Sequence, residues 1–338
     1  MQVFKKLHPL TICLIITITF STNALAVESS PITDKSFDSW VERLKTQAFS
    51  KGISEETINN AFVDVHQRFD GDEQDKPVFL PASSTTQQVL LNKQLLNHYS
   101  DVLFEIKHLF GVDEEVIISI WSMDKRFSTN TQSHSVVNIL SSLSYQQPHN
   151  KKLQAELFEA LKIIDDGHVD ARELISDEKG SIGALNFNAS QFRSFAIDYD
   201  GDGKTDLWKS HADIFASTAN FLSSIGWRAD QPWGLEVKLP EKIDDKLIST
   251  NSQRSLSKWH QLGLRKVDGA DFTESADMAS LIQLDDLSDR HFLVFDNYFA
   301  LLRWKRSSEF ALATGMMIDS IKQQDFSTPV IPFAEISE

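Results

Sequence analysis

Apolar residues recur along this chain at intervals that predict mostly helices. Phe37, Trp40, Val41, Leu44 and Ala48 lie on one helical face, and Gly52 ends the run. Ser54-Glu55-Glu56 opens a second helix with the stripe Ile58, Ala61, Phe62 and Val65. The acidic, proline-bounded stretch Asp70–Pro81 reads as an extended connection. Val89–Phe110 reads as helical, with Leu95, Leu96, Val102, Leu103, Ile106 and Phe110 facing a core. Gly111 breaks it and Asp113 caps the next helix, Ile117–Phe127, whose stripe is Val116, Ile117, Ile120 and Trp121. Val136–Leu143, Leu153–Ile164 and Ile214–Ile225 are further helices, the last stopped by Gly226. Trp227–Pro240 is irregular or short strand, Phe292–Phe295 a strand, and Tyr298–Ile321 a turn and a closing helix. Ile243–Leu284 mixes polar stretches with Trp259, Leu262 and Leu264 and shows no clear period. The expected class is mainly α with small β pieces.

The start of the chain changes this picture. Lys5 and Lys6, the apolar run Leu10–Phe20 and the small-residue site Ala24-Leu25-Ala26 predict a cleaved export signal over 1–26, then a loose segment 27–35. The run is too short for a bilayer anchor. Cys13 is the only cysteine; it lies in that run without small residues before it, so it is not a lipid-attachment site. The net charge is −15 at pH 7, and loss of Lys5 and Lys6 lowers it by two more. Such acidity argues against nucleic acid or anionic lipid surfaces as partners. The expectation is an exported protein with no stable membrane anchor.

Two stretches carry candidate chemistry. Asp124 falls three and four residues after Trp121 and Ile120, on the apolar stripe itself. An acid there is paired, sits at a helix end reaching solvent, or lines a cleft. Asp198, Asp200, Asp202 and Asp206 occupy positions 1, 3, 5 and 9 of an EF-hand-like loop with Gly203 at 6, and Lys204 would offer its backbone carbonyl. Position 12 is Lys209 where a bidentate Glu is usual, and Asp213 could close a lengthened shell. The loop is either a structural cation site or an acidic turn without an ion. No nucleophile elbow or zinc motif is present; His134, His149, His168, His211 and His291 are scattered. Trp227 and Trp233 flank Pro232 and could stack on a sugar ring or pack in a core.

Several ordered blocks resemble the lytic murein transglycosylases of the soluble and membrane-bound B type. Phe37-x-x-Trp40 and Gly52-Ile53-Ser54 fit the N-terminal segment, and Phe110-Gly111-Val112 precedes Ile120-Trp121-Ser-Met-Asp124-Lys-Arg-Phe127-Ser128, similar to Ile-Trp-Gly-x-Glu-Thr-x-Phe-Gly. Ala160-Leu161 through Gly167-His168-Val169-Asp170 fits the following helix. Gly180-Ser-Ile-Gly183-Ala-Leu-Asn186-Phe187-Asn188-Ala189-Ser190 resembles Gly-Ala-Met-Gly-x-x-Gln-Phe-Met-Pro-Ser. The acidic loop to Leu207-Trp208, then Asp213 through Gly226-Trp227, resembles the calcium loop and its helix. Asn297-Tyr298 and Leu302-Arg303-Trp304-Lys305-Arg306-Ser307 resemble the closing motifs.

The resemblance implies a lysozyme-like α domain over 36–326, made of N-terminal helices (36–110), a catalytic-type core (111–192), the EF-hand-like part (193–240) and a part closing the cleft (241–326), with a tail 327–338. It implies a periplasmic protein binding peptidoglycan glycan strands, structural Ca2+ and no cofactor for catalysis. One carboxylate, Asp124 here, would protonate the MurNAc–GlcNAc oxygen and then take the C6 hydroxyl proton, leaving a 1,6-anhydro sugar. Ser181, Asn186, Phe187, Asn188, Ser190, Tyr298 and Lys305 would contact substrate, and Asp198, Asp200, Asp202, Lys204, Asp206 and Asp213 the metal. The sequence departs where it matters: Asp124 replaces Glu, Asn186 replaces Gln, Asn188 replaces Met, Ala189 replaces Pro, Lys305 replaces Asn, and Ser122 and Ser128 replace glycines. Two readings stay open, an enzyme using the shorter acid and a non-catalytic wall-binding relative with other cell-wall enzymes as partners. A plain calcium-binding exported protein is a third.

Overall fold

A computed structural model describes residues 36–68, 86–127, 134–229, 231–272, 277–283 and 290–323, with the side chains of 124–127 outside that set. The expected export signal, the segment 27–35, the connection Asp70–Pro81 and the tail 327–338 lie outside the described residues. Twelve α-helices and seven short strands are described.

The N-terminal part holds α1 (Phe37–Ser50), α2 (Glu55–Ala61), α3 (Thr86–His98) and α4 (Ser100–Phe110). Ser36 and Ser54 cap α1 and α2 through their hydroxyls. The single helix expected over Val89–Phe110 is two. The chain breaks at Tyr99 (φ −105°, ψ 19°), whose ring stacks on His211 at 5.0 Å.

The body continues with α5 (Glu114–Phe127), β1 (His134–Ser135), α6 (Val136–Gln146), α7 (Lys151–Asp165), β2 (Ile175–Ser176), α8 (Ala189–Phe195) and α9 (His211–Ser224). α9 is buried on nearly every side from Asp213 to Leu222, so it is the central helix that others wrap. It touches α4, α5, α8 and the later α11. Asp165 at the end of α7 accepts from Ser54 N (3.1 Å) and Thr57 Oγ1 (2.9 Å), tying α2 to the body. The Ser54 hydroxyl first, then Ser54 N, Lys162 and Thr57, outweigh burial and hold its carboxyl well below the usual carboxylate range.

Ile243–Leu284, which showed no period, contains β4 (Gln253–Ser255), α10 (Leu256–Gln261), β5 (Arg265–Lys266) and β6 (Met278–Gln283); β3 (Gly234–Lys238) falls in the piece expected to be irregular or short strand, and β7 (His291–Val294) where a strand was expected. The strands form one antiparallel sheet in the order β4-β6-β7-β3-β5, with Leu281 opposite Leu293 and Leu293 opposite Leu235. The sheet has its own small core around Trp259, Leu264, Leu281 and Leu293. Trp259 is fully buried and its indole N–H donates to the Ala279 carbonyl at 2.9 Å. The chain closes with α11 (Asp296–Trp304) and α12 (Ser308–Gln323), again two helices where one was expected.

α12 joins the two parts. Phe310, Met317 and Ile321 pack with Met123 of α5 and Val89 of α3. Gly315 receives the Trp233 indole, and a Cβ there would stand 2.2 Å from the ring. Trp233, at 3% exposure, is therefore a core residue and not a sugar platform.

Candidate functional site

The site is built on the end of α5. Val116, Ile117, Ile118 and Ile120 anchor the helix in the core, and Trp121 lies edge-on to His211 (5.4 Å) and Phe215 (5.6 Å). Ser122, at a motif glycine position, accepts from Asn92 Nδ2 (3.0 Å) and donates to the Ser119 carbonyl (3.2 Å). Met123 is buried against α12. Asp124 follows on the last turn; its side chain lies outside the described residues, and so does any contact it makes with Lys305. Lys305 follows α11, with its ammonium 5.4 Å above the Phe310 ring. That ring belongs to the same apolar cluster as Met123.

The Gly180–Ser190 stretch is a tight, self-supported loop. Ile182 N donates to Phe187 O (2.7 Å) and Phe187 N to Ile182 O (3.1 Å). Asn186 closes the turn at φ 49°, the only non-glycine with positive φ among the described residues. Asparagine tolerates that region better than a longer amide. Gly183 is left-handed too, and a Cβ there would meet Leu207 at 2.8 Å. Asp177 Oδ1 accepts from Lys179 N (2.9 Å) and Ser181 N (2.8 Å), which sets the start of the loop. Glu156 of α7 accepts from Ser190 N and Oγ, both at 2.9 Å, which sets its end.

These contacts sort the expected substrate residues. Phe187 is 2% exposed between Phe221 (5.3 Å) and Trp304 (5.8 Å), and Tyr298 is buried with its hydroxyl bonded to Ser308, so both hold the loop region from beneath. Asn188 caps α8 in a reciprocal box with Gln191. Ser190 is engaged by Glu156. Ser181 and Asn186 are half-buried on the loop itself.

Glu156 and Asp177 were missed in the sequence. Glu156 lies three residues after Leu153 and four before Ala160, an acid on an apolar stripe, the same signal that singled out Asp124. The closing motifs are also structural. Asn297 is fully buried, donates to the Arg228 (2.8 Å) and Gln231 (2.7 Å) carbonyls, and accepts from Arg228 N (2.8 Å). Arg303 donates to the Ile225 carbonyl at the end of α9 (2.8 Å).

The acidic loop has two tiers. Asp198, Asp200 and Asp202 each bring a carboxylate oxygen within 4.8 Å of the others. Asp198 also accepts from Gly201 N (2.8 Å) and Gly203 N (2.9 Å), both left-handed glycines. Asp206 turns to Trp208 N and Lys209 N (2.8 and 2.9 Å). Asp213 sits beneath, fully buried, accepting from Tyr199 N (2.8 Å), Asp200 N (3.4 Å) and Asp206 N (2.8 Å). Burial pushes its carboxyl up against the pull of those N–H groups. Asp213 thus shapes the loop and spends its oxygens on backbone. The upper tier offers only oxygen donors on an exposed loop, a set that suits a hard divalent cation.

The transglycosylase SLT domain family matches residues 36–319. The chain is 26% identical to membrane-bound lytic murein transglycosylase B of Escherichia coli K12 over 225 residues, 64% of this chain. It spans 59% of that relative's length. Its structure matches SltB3 of Pseudomonas aeruginosa, solved with NAG-anhNAM-pentapeptide, with a TM-score of 0.78 and 32% identity over 85% of this chain and 80% of that one. Escherichia coli Slt35, solved with calcium, matches at a TM-score of 0.68 and 20% identity, covering 84% of this chain and 92% of that one. Helical body and sheet are matched together, and the chain belongs to the transglycosylase SLT domain family, with its lysozyme-like fold.

Proposed function

We propose that this protein is an exported, periplasmic lytic transglycosylase that cleaves MurNAc–GlcNAc bonds of peptidoglycan, with Asp124 as acid and then base. The supporting observation is an acid on the last turn of α5, in a chain 32% identical to an SltB3 solved with NAG-anhNAM-pentapeptide. In the first step Asp124 gives its proton to the glycosidic oxygen as the bond to C1 breaks, with the N-acetyl group assisting. In the second the carboxylate takes the C6 hydroxyl proton while O6 closes on C1. No water is consumed. Aspartate is one methylene shorter than glutamate, a retreat of about 1.5 Å, and misplacement of about 1 Å costs on the order of a hundredfold in rate. The enzyme is therefore slow.

That short acid also favours a second reading, a wall-binding relative without catalysis that works with other cell-wall enzymes. Digestion of purified sacculi, with mass analysis for 1,6-anhydro-muropeptides, separates them. The expected outcome is anhydro product from the wild type, none from Asp124→Ala, and more from Asp124→Glu. No product from the wild type, with product from Asp124→Glu, overturns catalysis and leaves the binding reading.

The acidic loop is read as a structural Ca2+ site held by Asp198, Asp200, Asp202 and the Lys204 carbonyl, with Asp206 and Asp213 setting the loop. Calcium supplies charge balance to the loop and takes no part in the sugar chemistry.

A further inference from the structure

A cleft of about 530 Å³ lies between α12 and the β3–β5–β7 side of the sheet. It meets α12 through Met316, Asp319, Ser320 and Gln323, a different face from the Phe310, Met317 and Ile321 that pack towards Met123. It is thus separate from the end of α5. We propose that this cleft is a second binding site, for a short peptide carrying a free ammonium group, and that it takes the peptide stem of the wall polymer. The second half of that statement rests on the function proposed above.

The lining groups define the ligand by what they lack. Asp319 Oδ2 accepts from the Trp233 indole N–H at 3.0 Å, while Oδ1 has no donor among the described residues. Burial holds this carboxyl at about 6, with the indole and Lys322, three residues on along α12, pulling the other way. Lys322 itself is engaged by Asp113 at 3.3 Å. Glu236 and Arg290 neutralise one another through two hydrogen bonds of 2.7 and 2.8 Å. Asp268 Oδ1 accepts from Ala270 N in its own turn. Lys266, on β5, also lines the cleft and makes no ion pair among the described residues. A carboxylate with one donor, partly out of water, is stabilised by an incoming cation. A ligand with an ammonium for Asp319 and a carboxylate for Lys266 fits both demands, with the Arg290 guanidinium already lying over Phe292 and against Met316 Sδ (3.9 Å). The volume is within the range of small-ligand sites and suits two or three amino-acid residues.

The test is calorimetric titration of the whole chain with the peptide Ala-Glu-Lys and with the same peptide acetylated on both amines. The free peptide binds, acetylation weakens it by about tenfold or more, and Asp319→Asn has a similar effect. Asn keeps an oxygen for the indole, so the variant holds the fold; Lys266→Met, at the rim, weakens binding severalfold. A flat titration with the free peptide overturns the proposal, and so does equal affinity for the acetylated form or unaltered affinity in Asp319→Asn. Peptide-stripped glycan strands are titrated separately into the wild type. Glycan binding without peptide binding sinks this site alone; peptide binding without glycan binding sinks the wall reading and leaves the site.

Discussion

The Asp177–Ser190 loop and the Asp198–Asp213 loop are both held from within by buried acids, yet they end in different electrostatic states. In the first, Asp177 and Glu156 each accept two hydrogen bonds from the loop. In the second, Asp213 accepts three backbone N–H groups, and Asp198, Asp200 and Asp202 converge above it. The first loop is complete as a hydrogen-bonded object. The second carries surplus negative charge that its own donors do not cancel. A loop that presents a surface to a neutral glycan needs the former; one that grips a cation needs the latter.

The comparison breaks most visibly at Asp213. Asp213→Ala strands three loop N–H groups and is expected to cost about 2–4 kcal/mol by denaturant unfolding, with or without calcium. Glu156→Ala strands Ser190 N at the start of α8, while Ser190 Oγ keeps Asn188 Oδ1 (2.8 Å), and is expected to cost about 1–3 kcal/mol in the same measurement. Calcium should then tell the loops apart. At tenfold its dissociation constant it adds about 1.4 kcal/mol, a rise of about 2–4 °C in Tm. Asp200→Ala with Asp202→Ala removes that rise, whereas Glu156→Ala keeps it; an identical melt with calcium and with chelator would refute the cation site.

The smallest effect sharpens the rule that donors decide what burial does to an acid. Asp319 has one N–H donor where Asp213 has three. Its folded pKa of about 6 lies above the ordinary carboxylate value of 3.8. The folded state therefore binds the proton more tightly. This group favours folding most below pH 4 and loses that contribution as pH rises through about 6. Asp319→Asn should melt higher than wild type at pH 8, by about 1 kcal/mol after allowance for solvent, and the gap should close by pH 4. A gap independent of pH would refute the assignment.

Legibility followed the same physical lines. The stripes of α1, α2, α5 and α9 were readable because each helix buries one broad face or all of itself. The break at Tyr99 was not, since no glycine or proline marks it and the cause is a ring stacked on His211 from another helix. β6 hides its period because four consecutive residues, Ala279 to Ile282, are all buried. The acidic loop was readable from spacing, but Asp213's place beneath it depends on backbone N–H groups that no spacing reveals. Phe187 and Tyr298, which the resemblance gave as substrate contacts, are buried, and no spacing in the sequence shows that.

Gly315 has a consequence for anyone building chimeras in this family. The indole of Trp233 occupies the ground where a side chain would stand, so the helix and the strand module were tailored to each other. A transplant cut at 234 and 294 leaves both halves of that joint behind; one cut at 233 and 319 carries the key together with its lock.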